Sequence, residues 1–449
     1  MRKATRQQQG ATVVVGLGAT GLACLRFLHA RGCRLAAMDS RADPPALPAV
    51  KALASDLPLS LGALDPSMLV DAGQVIVSPG VAANDPALEA ARSAGVPVFG
   101  EIELFARNVN APVVAITGSN GKSTVTTLLG EMAARAGSDA AVGGNLGTPA
   151  LDLLRSPAPD AYILELSSFQ LETTSSLRPL AAAVLNISAD HMDRHGNVDA
   201  YAAIKSRIYN GDGRMVLNAD DPRVAAMARP GRRQTWFSTG LPAAAGDYGL
   251  AHEAGRTWLM RGDTRLLAAD AMRIRGLHNL ANALAALALA EAMRLASDAC
   301  LDALRDFPGL PHRTCRVRER RGVHWYNDSK ATNVAAAQAA INGLEGPLVL
   351  ILGGDGKGAD FTPLRDAMRE KVRAAVVIGR DADRIRAVLD GVVRTESAAD
   401  MDGAVKSAAG LAQAGDSVLL SPACASLDMY SGYEERGRIF EDAVRGLSA

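Results

Sequence analysis

The stretch Pro112-Val-Val-Ala-Ile-Thr-Gly-Ser-Asn-Gly-Lys-Ser-Thr124 reads as a buried apolar strand that runs into a glycine turn and opens a helix. That arrangement is a phosphate cradle. The backbone N–H groups of Gly118, Ser119, Asn120 and Gly121 point at anionic oxygens, and Lys122 adds a fixed positive charge. The Ser123 hydroxyl, with Thr124 beside it, is placed to touch a nucleotide-bound Mg²⁺. ATP is the expected ligand. Ile116 stands where the common G-x-x-x-x-G-K-[ST] pattern has its first glycine, so the loop is a variant. A plain strand-to-helix turn would need neither the lysine nor the two hydroxyls.

The chain around this cradle has 449 residues, and at about 150 residues per domain three domains are expected. Apolar residues make up 48% and charged residues 21%, the balance of a soluble globular protein with a large core. Lys plus Arg (48) cancel Asp plus Glu (48), so no overall field favours nucleic acid or a membrane surface. The five cysteines are scattered and form no C-x-x-C pair, which argues against a disulfide framework or a thiolate metal site and for a reducing cytoplasm. Residues 1–9 carry three basic side chains, but the apolar run after them ends at Gly16, too short for a signal-peptide core or a membrane span. A cytoplasmic monomer is expected.

Ahead of the cradle, Ala11-Thr-Val-Val-Val-Gly-Leu-Gly-Ala-Thr-Gly21 gives a strand, a glycine turn and a helix over residues 22–31, followed by a strand ending at Asp39. The G-x-G-x-x-G spacing with an acidic residue about 20 positions on is how a Rossmann unit seats a diphosphate and a ribose. Asp39-Ser-Arg41 suits a ribose, a base or a phosphate equally well. Val75-Ile-Val-Ser-Pro-Gly80 is a second strand with a glycine-bearing exit, so residues 1–101 are expected to form a Rossmann-like α/β domain holding a nucleotide diphosphate.

Past the cradle, a central domain over residues 102–308 is expected. Val142-Gly-Gly-Asn-Leu-Gly147 reads as a flexible loop with Asn145 as its polar contact. Tyr162-Ile-Leu-Glu-Leu-Ser-Ser168 reads as a strand that places Glu165 inside, where a carboxylate needs a partner such as Mg²⁺. A strand over residues 181–188 delivers Asp190-His-Met-Asp-Arg-His195, making His191 a second metal candidate. Lys205, on a helix over residues 199–209, reads by itself as a solvated surface charge. Residues 235–275 suggest antiparallel strands, and Gly276-Leu-His-Asn-Leu-Ala-Asn282 opens a long helix.

Phe307-Pro-Gly-Leu-Pro-His-Arg313 is a hinge, and residues 309–449 read as a third α/β domain with a mostly parallel sheet. Its strands fall at residues 348–352, 374–378 and 417–420. Gly353-Gly-Asp-Gly-Lys-Gly358 lacks a hydroxyl residue after its lysine, so Lys357 is an anion contact and the turn is not a second ATP cradle. Ser421-Pro-Ala-Cys-Ala-Ser-Leu-Asp428 is expected to begin the last helix and present Ser426 to a small carboxylate. Trp325-Tyr-Asn-Asp-Ser-Lys-Ala-Thr-Asn333 leaves a strand with five polar side chains, more than a turn requires.

Ile-Thr-Gly-Ser-Asn-Gly-Lys-Ser-Thr, Glu-Leu-Ser-Ser-Phe-Gln-Leu, Asp-His-Met-Asp-Arg, His-Asn-x-x-Asn, Leu-Pro-His-Arg, Asn-Asp-Ser-Lys-Ala-Thr-Asn and Ser-Pro-Ala-Cys-Ala-Ser-Leu-Asp together resemble the Mur ligases, in particular their glutamate-adding branch. The cradle alone would also suit folylpolyglutamate synthetases. The resemblance implies an ATP-dependent amide ligase whose central domain is a P-loop-type ATPase between two Rossmann-like domains. Its substrates would be UDP-N-acetylmuramoyl-L-alanine and glutamate. It also implies that Lys122 and Ser123 meet the phosphates and Mg²⁺, that Glu165 and His191 hold metal, and that Asn279, Asn282, Arg313 and Asp328 hold the nucleotide. Ala19, Thr20, Asp39, Ser40, Arg41, Ser78 and Gly80 resemble the UDP-sugar site, and Thr332, Lys357, Ser426, Leu427 and Tyr433 the glutamate pocket. Against its bland reading, Lys205 resembles a lysine that takes up CO₂ as a metal-binding carbamate, although the preceding segment, residues 195–198, is short for the family. An oxidoreductase built on the Gly16 to Gly21 fingerprint would leave the ATP cradle unexplained.

Overall fold

The computed structural model describes residues 10–344 and 346–448, so the basic stretch at residues 1–9 lies outside the described residues. In the first sheet β1 (Thr12–Val15) is buried along its whole length, as a central parallel strand must be. It pairs in parallel with β2 (Leu35–Asp39) and β4 (Gln74–Val77), while β3 (Leu59–Leu61) and β5 (Val98–Gly100) complete the order β3-β2-β1-β4-β5. The order reverses between β1 and β4, which opens a crevice beyond their C-terminal ends. The helix Ala19–His29 starts three residues before the expected position. Gly21 permits this, because a Cβ there would lie 1.9 Å from the Gly16 carbonyl oxygen.

The second sheet has nine strands, ordered β14-β13-β12-β11-β10-β9-β6-β8-β7. At its centre β6 (Val113–Thr117) lies between β8 (Ala161–Glu165) and β9 (Ala181–Val184), all parallel. β7 (Ala140–Gly144) forms the edge, so Val142, Gly143 and Gly144 belong to a strand and not to the expected loop. Glycine is required at Gly144, where a Cβ would stand 2.4 Å from the Glu165 carbonyl oxygen. The Tyr162 strand stops at Glu165 because Ser167 caps the helix Ser168–Glu172 in a capping box with Gln170. On the other side come β10 (Arg214–Asn218), β11 (Gln234–Phe237), β12 (Tyr248–Glu253), β13 (Arg256–Arg261) and β14 (Thr264–Ala268). β11 runs parallel to β10, a correction to the all-antiparallel expectation; only β12, β13 and β14 form a meander. The helices Lys122–Arg135 and Leu277–Ala292 cover one face, and buried alanines of the second allow their close approach.

The third sheet follows the order β15-β16-β20-β17-β18-β19, with β15 (Cys315–Arg320), β16 (Val323–Asn327), β17 (Leu348–Gly353), β18 (Val372–Ile378), β19 (Arg394–Ser397) and β20 (Ser417–Leu420). It is parallel except for the β15–β16 hairpin. β19 escaped the sequence reading because it is a short edge strand with polar residues. The stretch from Ser421 to Asp428 does not begin the last helix, which spans Tyr433–Gly446. Ala423 sits at φ +58 and Ala425 bridges to Asp355, so this stretch is a loop held against the turn after β17.

The first and second sheets are joined through buried carboxylates. Glu103, 2% exposed, accepts from the backbone N–H groups of Ser175 and Ser176, and Glu101 accepts from Leu151 N. Gly100 donates its N–H to the Thr173 carbonyl, and a Cβ there would meet Thr173 Oγ1 at 2.3 Å. Arg26 pairs with Asp152 across the same junction. The second and third sheets are connected by the loop at residues 307–314, with Gly309 at φ +87.

Candidate active site

β6 is buried throughout and delivers the cradle. Gly118 at φ +154 and Gly121 at φ +84 turn the chain, and the helix Lys122–Arg135 begins without a side-chain cap, leaving its first N–H groups free for an anion. A Cβ on Gly121 would stand 2.4 Å from Asn282 Oδ1, so this glycine lets the helix Leu277–Ala292 approach the loop. The Lys122 ammonium donates to the carbonyls of Gly118 and Ser119, each at 2.9 Å. Burial lowers its pKa, and the charges of Glu165 and Asp190 act in the opposite sense. Ser123 and Thr124 are buried in the first helical turn. The loop after β9 clamps the cradle from outside. Asn120 N donates to Asn186 Oδ1, Asn186 Nδ2 donates back to Asn120 O, and Ser119 Oγ accepts from Ser188 N.

Glu165 ends β8 at 2% exposure. Its Oε1 accepts from Asn145 Nδ2 at 2.6 Å, so Asn145 orients this carboxylate, while Oε2 is buried without a protein partner. A buried carboxylate oxygen left open in this way suits a cation. His191 occupies the left-handed region at φ +57, with Nε2 3.7 Å from Asp190 Oδ2 and its ring edge-on to Phe169. Burial lowers its pKa, favouring the neutral imidazole that can ligate.

The bland reading of Lys205 is overturned. The side chain is 1% exposed, Nζ donates to Thr117 Oγ1 at 3.1 Å, and the ammonium lies 4.7 Å from the centre of the Tyr201 ring. Burial, then the charge of Lys122, pushes its pKa well below the ordinary lysine value. Among the described residues no three His, Cys, Asp or Glu side chains gather as a dedicated metal cage. A nucleotide-borne Mg²⁺ needs none, since it keeps waters and takes phosphate oxygens beside one or two protein ligands.

A cavity between the second and third sheets brings Gly121 and Thr124 together with Asn279, Asn282, Arg313 and Asp328. Asn282 Nδ2 donates to Asn279 Oδ1. Asp328 accepts from Thr314 N and Ser421 Oγ, and burial raises its pKa to about 7. The amino-acid candidates sit on three neighbouring strand exits. Thr332 follows β16, and Lys357, at φ +49, follows β17 and adds its charge to those acting on His191. Ser426 is 4% exposed beside the Asp355–Ala425 bridge. Leu427 is exposed, and Tyr433 opens the last helix with its ring centre 3.5 Å from Lys330 Nζ.

At the first sheet, Ala19 and Thr20 form the uncapped start of their helix. Both Asp39 oxygens are committed, to Leu17 N, to Arg41 N and to the Arg41 guanidinium, which holds the carboxyl down at about 2. Asp39 is therefore an anchor, and the exposed Arg41 and Ser40 are what the crevice presents. Ser78 Oγ donates to Gly16 O at 2.7 Å, and Gly80 is exposed next to it.

The sequence reading missed Tyr201, Asn186, His278, Lys330 and Asn333 as site residues. Tyr201 was within reach, being four residues before Lys205 on the same helical face. Lys330 and Asn333 lie in the polar run after Trp325, whereas Asn186 and His278 reach the cavity only through the fold.

Residues 10–100 match the Mur ligase MurD-like N-terminal domain, residues 116–290 the Mur ligase middle domain and residues 312–424 the Mur ligase glutamate ligase domain. The chain is 55% identical over 443 residues to the UDP-N-acetylmuramoylalanine--D-glutamate ligase of Nitrosococcus oceani, covering 98% of each chain. It is 54% identical to the enzyme of the same name from Methylococcus capsulatus, covering 97% of this chain and 95% of that one. In fold it is similar to a pseudomurein peptide ligase type C from Methanothermus fervidus, with a TM-score of 0.63 at 18% identity over 97% of this chain and 100% of that one. A MurF ligase from Thermotoga maritima solved in complex with ADP gives 0.60 at 17% identity over 98% and 96%. With the three domains matched in order along a chain 55% identical to one of its members, the chain belongs to the Mur ligase family.

Proposed function

We propose that this protein is the ATP-dependent ligase that adds D-glutamate to UDP-N-acetylmuramoyl-L-alanine in peptidoglycan precursor synthesis. The observation that carries the reading is the 55% identity over 98% of the chain to a ligase of that name, in a fold where the charges of Glu165 and Asp190 act on both Lys122 and Lys205. In the reaction the alanyl carboxylate takes a phosphoryl group from ATP, giving an acyl phosphate and ADP, and the glutamate amine then displaces phosphate to leave the amide and a proton.

Each part of the chain has a share in this. The cradle N–H groups and Lys122 hold the phosphates, and the ammonium offsets charge that builds on the transferred group. Asn279, Asn282, Arg313 and Asp328 hold the nucleoside end. The crevice at Ala19, Thr20, Ser40, Arg41, Ser78 and Gly80 seats the uridine diphosphate. Thr332, Lys357, Ser426, Leu427 and Tyr433 seat glutamate, with Lys357 and Ser426 directed at its carboxylates. Ser123, Glu165, His191 and a carbamate on Lys205 would hold Mg²⁺, which supplies screening of phosphate charge when bound; the unpartnered Glu165 oxygen and the neutral histidine fit that assignment. A monomer working in the cytoplasm is part of this reading. No described helix is long and apolar enough to cross a membrane.

The test is release of ADP and phosphate with UDP-N-acetylmuramoyl-L-alanine over a panel of D- and L-amino acids. D-Glutamate should be needed for turnover. Turnover driven by another amino acid would make the protein a sister ligase of the family, and turnover with none would remove the ligase reading.

A further inference from the structure

Asn333 is the cap of the helix Val334–Gly343, and its Oδ1 accepts from Ala336 N at 2.9 Å. Its remaining hydrogen-bonding capacity crosses to the central domain. Asn333 Nδ2 lies 3.2 Å from Asn120 Oδ1 and 3.3 Å from Asp190 Oδ2, and Asn120 Nδ2 lies 3.4 Å from Asn333 Oδ1. Asn120 belongs to the phosphate cradle, Asp190 precedes His191, and Asn333 directly follows Thr332 of the amino-acid loop. One side chain, 7% exposed, thus touches the cradle and the loop bearing His191, and sits next to the amino-acid loop.

We infer that Asn333 is a positioning residue, a latch that fixes the third domain on the phosphate cradle so that the incoming amine and the activated carboxylate share one geometry. It touches neither the reacting atoms nor, on its own, a substrate. The bonds are long and mostly neutral, the sort that form on closure and release again. If the latch couples the two loops, glutamate and nucleotide must tighten one another's binding by the same factor. The inference rests on the ligase reading for the identity of its ligands.

Asn333→Ser separates latching from capping. Serine caps a helix as well as asparagine does, but its hydroxyl is too short to reach Asn120 or Asp190. Asn333→Asp keeps both the cap and an acceptor for Asn120, removes the donor, and sets a second carboxylate against Asp190. Both variants should melt with the unaltered protein. A kcat loss on the order of 10- to 100-fold is expected for two to three lost bonds, one of them to a carboxylate. Binding of a non-hydrolysable ATP analogue should tighten with D-glutamate in the unaltered protein and become indifferent to it in both variants. The radius of gyration by small-angle X-ray scattering with the analogue bound should rise in both variants. Unchanged coupling and unchanged scattering in Asn333→Ser would overturn the latch. Absence of ADP release by the unaltered protein would instead defeat the ligase reading, and scattering with the analogue alone would still decide the latch.

Discussion

Lys205 Nζ donates to Thr117 Oγ1 at 3.1 Å, tying the helix Val198–Ser206 to the strand that ends in the cradle. An ammonium in that place is disfavoured by burial and by Lys122, so the neutral, nucleophilic amine gains weight. Addition of CO₂ to that amine gives a carbamate and releases a proton, which exchanges a repelled cation for an anion beside the metal candidates. Lys205→Ala should lose activity by at least about a hundredfold, as when a preorganised charge is removed. Formate or acetate should restore part of it by occupying the vacated anionic position. Full activity without supplement would return Lys205 to a packing role.

Lys122→Ala should leave the melting temperature within a few degrees of the unaltered protein, because removing a buried ammonium also removes its desolvation cost. Turnover at saturating ATP should fall about a thousandfold, the scale of losing a charge that stabilises phosphoryl transfer. Near-normal turnover in single-turnover experiments would rule out the phosphate role.

Lys357→Ala should raise the apparent KM for glutamate about 10- to 100-fold, the loss of one charge-assisted bond, with little change in that for ATP. Ser426→Ala should do the same more weakly. Steady-state kinetics with each substrate varied in turn checks this, and equal effects on both substrates count against the pocket.

Gly121→Ala places a methyl group 2.4 Å from Asn282 Oδ1 at φ +84. Nucleotide binding by calorimetry should be lost while the rest of the central domain stays folded. Asn282→Ala in the same chain should relieve the collision and recover part of any lost melting temperature, leaving about 1–2 kcal/mol from the left-handed backbone, while nucleotide binding stays weak because Asn282 is itself one of the proposed nucleotide contacts.

Glu101 offers a pH test away from the chemistry. Burial raises its pKa to about 7, against an unfolded value of 4.5, and its Oε2 has no partner. Between those two values the folded protein binds more protons at this site than the unfolded chain. Its contribution is therefore fully present below pH 4.5 and is lost as pH rises through 7, by about 3 kcal/mol in all. Glu101→Gln keeps an acceptor for Leu151 N and should flatten that slope in urea denaturation followed from pH 4.5 to 7.5. An unchanged slope would show that the carboxyl is ionised throughout.

What the sequence made legible was what depends on neighbours in the chain. Gly118, Gly121, Lys122 and Ser123 act at fixed offsets on one strand-to-helix turn, so their spacing carries their geometry. Glu165 could be placed because its strand neighbours are apolar and the strand is buried along its whole length, which carries its last residue inside as well. The residue pattern alone misjudged Lys205, since its burial is made by Thr117, 88 positions earlier, and by Tyr201, whose ring a helical wheel does not distinguish from ordinary core. Asp39 was legible as important but not in its role, because the donors that occupy it come from its own turn and from Leu17. The contact of Asn120 with Asn333 spans 213 positions and exists only once two sheets meet.

The two junctions of the chain differ in kind, and the difference sets a division of labour. At one, Glu103 is sunk between two backbone N–H groups, and Gly100 lies so near Thr173 that a methyl group could not be inserted. At the other, the connection is a glycine- and proline-rich loop with amide contacts of 3.2–3.4 Å. On the proposed function, the first domain is a fixed bench for one reactant and the third an arm for the other. Mutations that loosen the bench should lower yield by misplacing every catalytic cycle alike, whereas mutations in the arm change only how often a cycle begins.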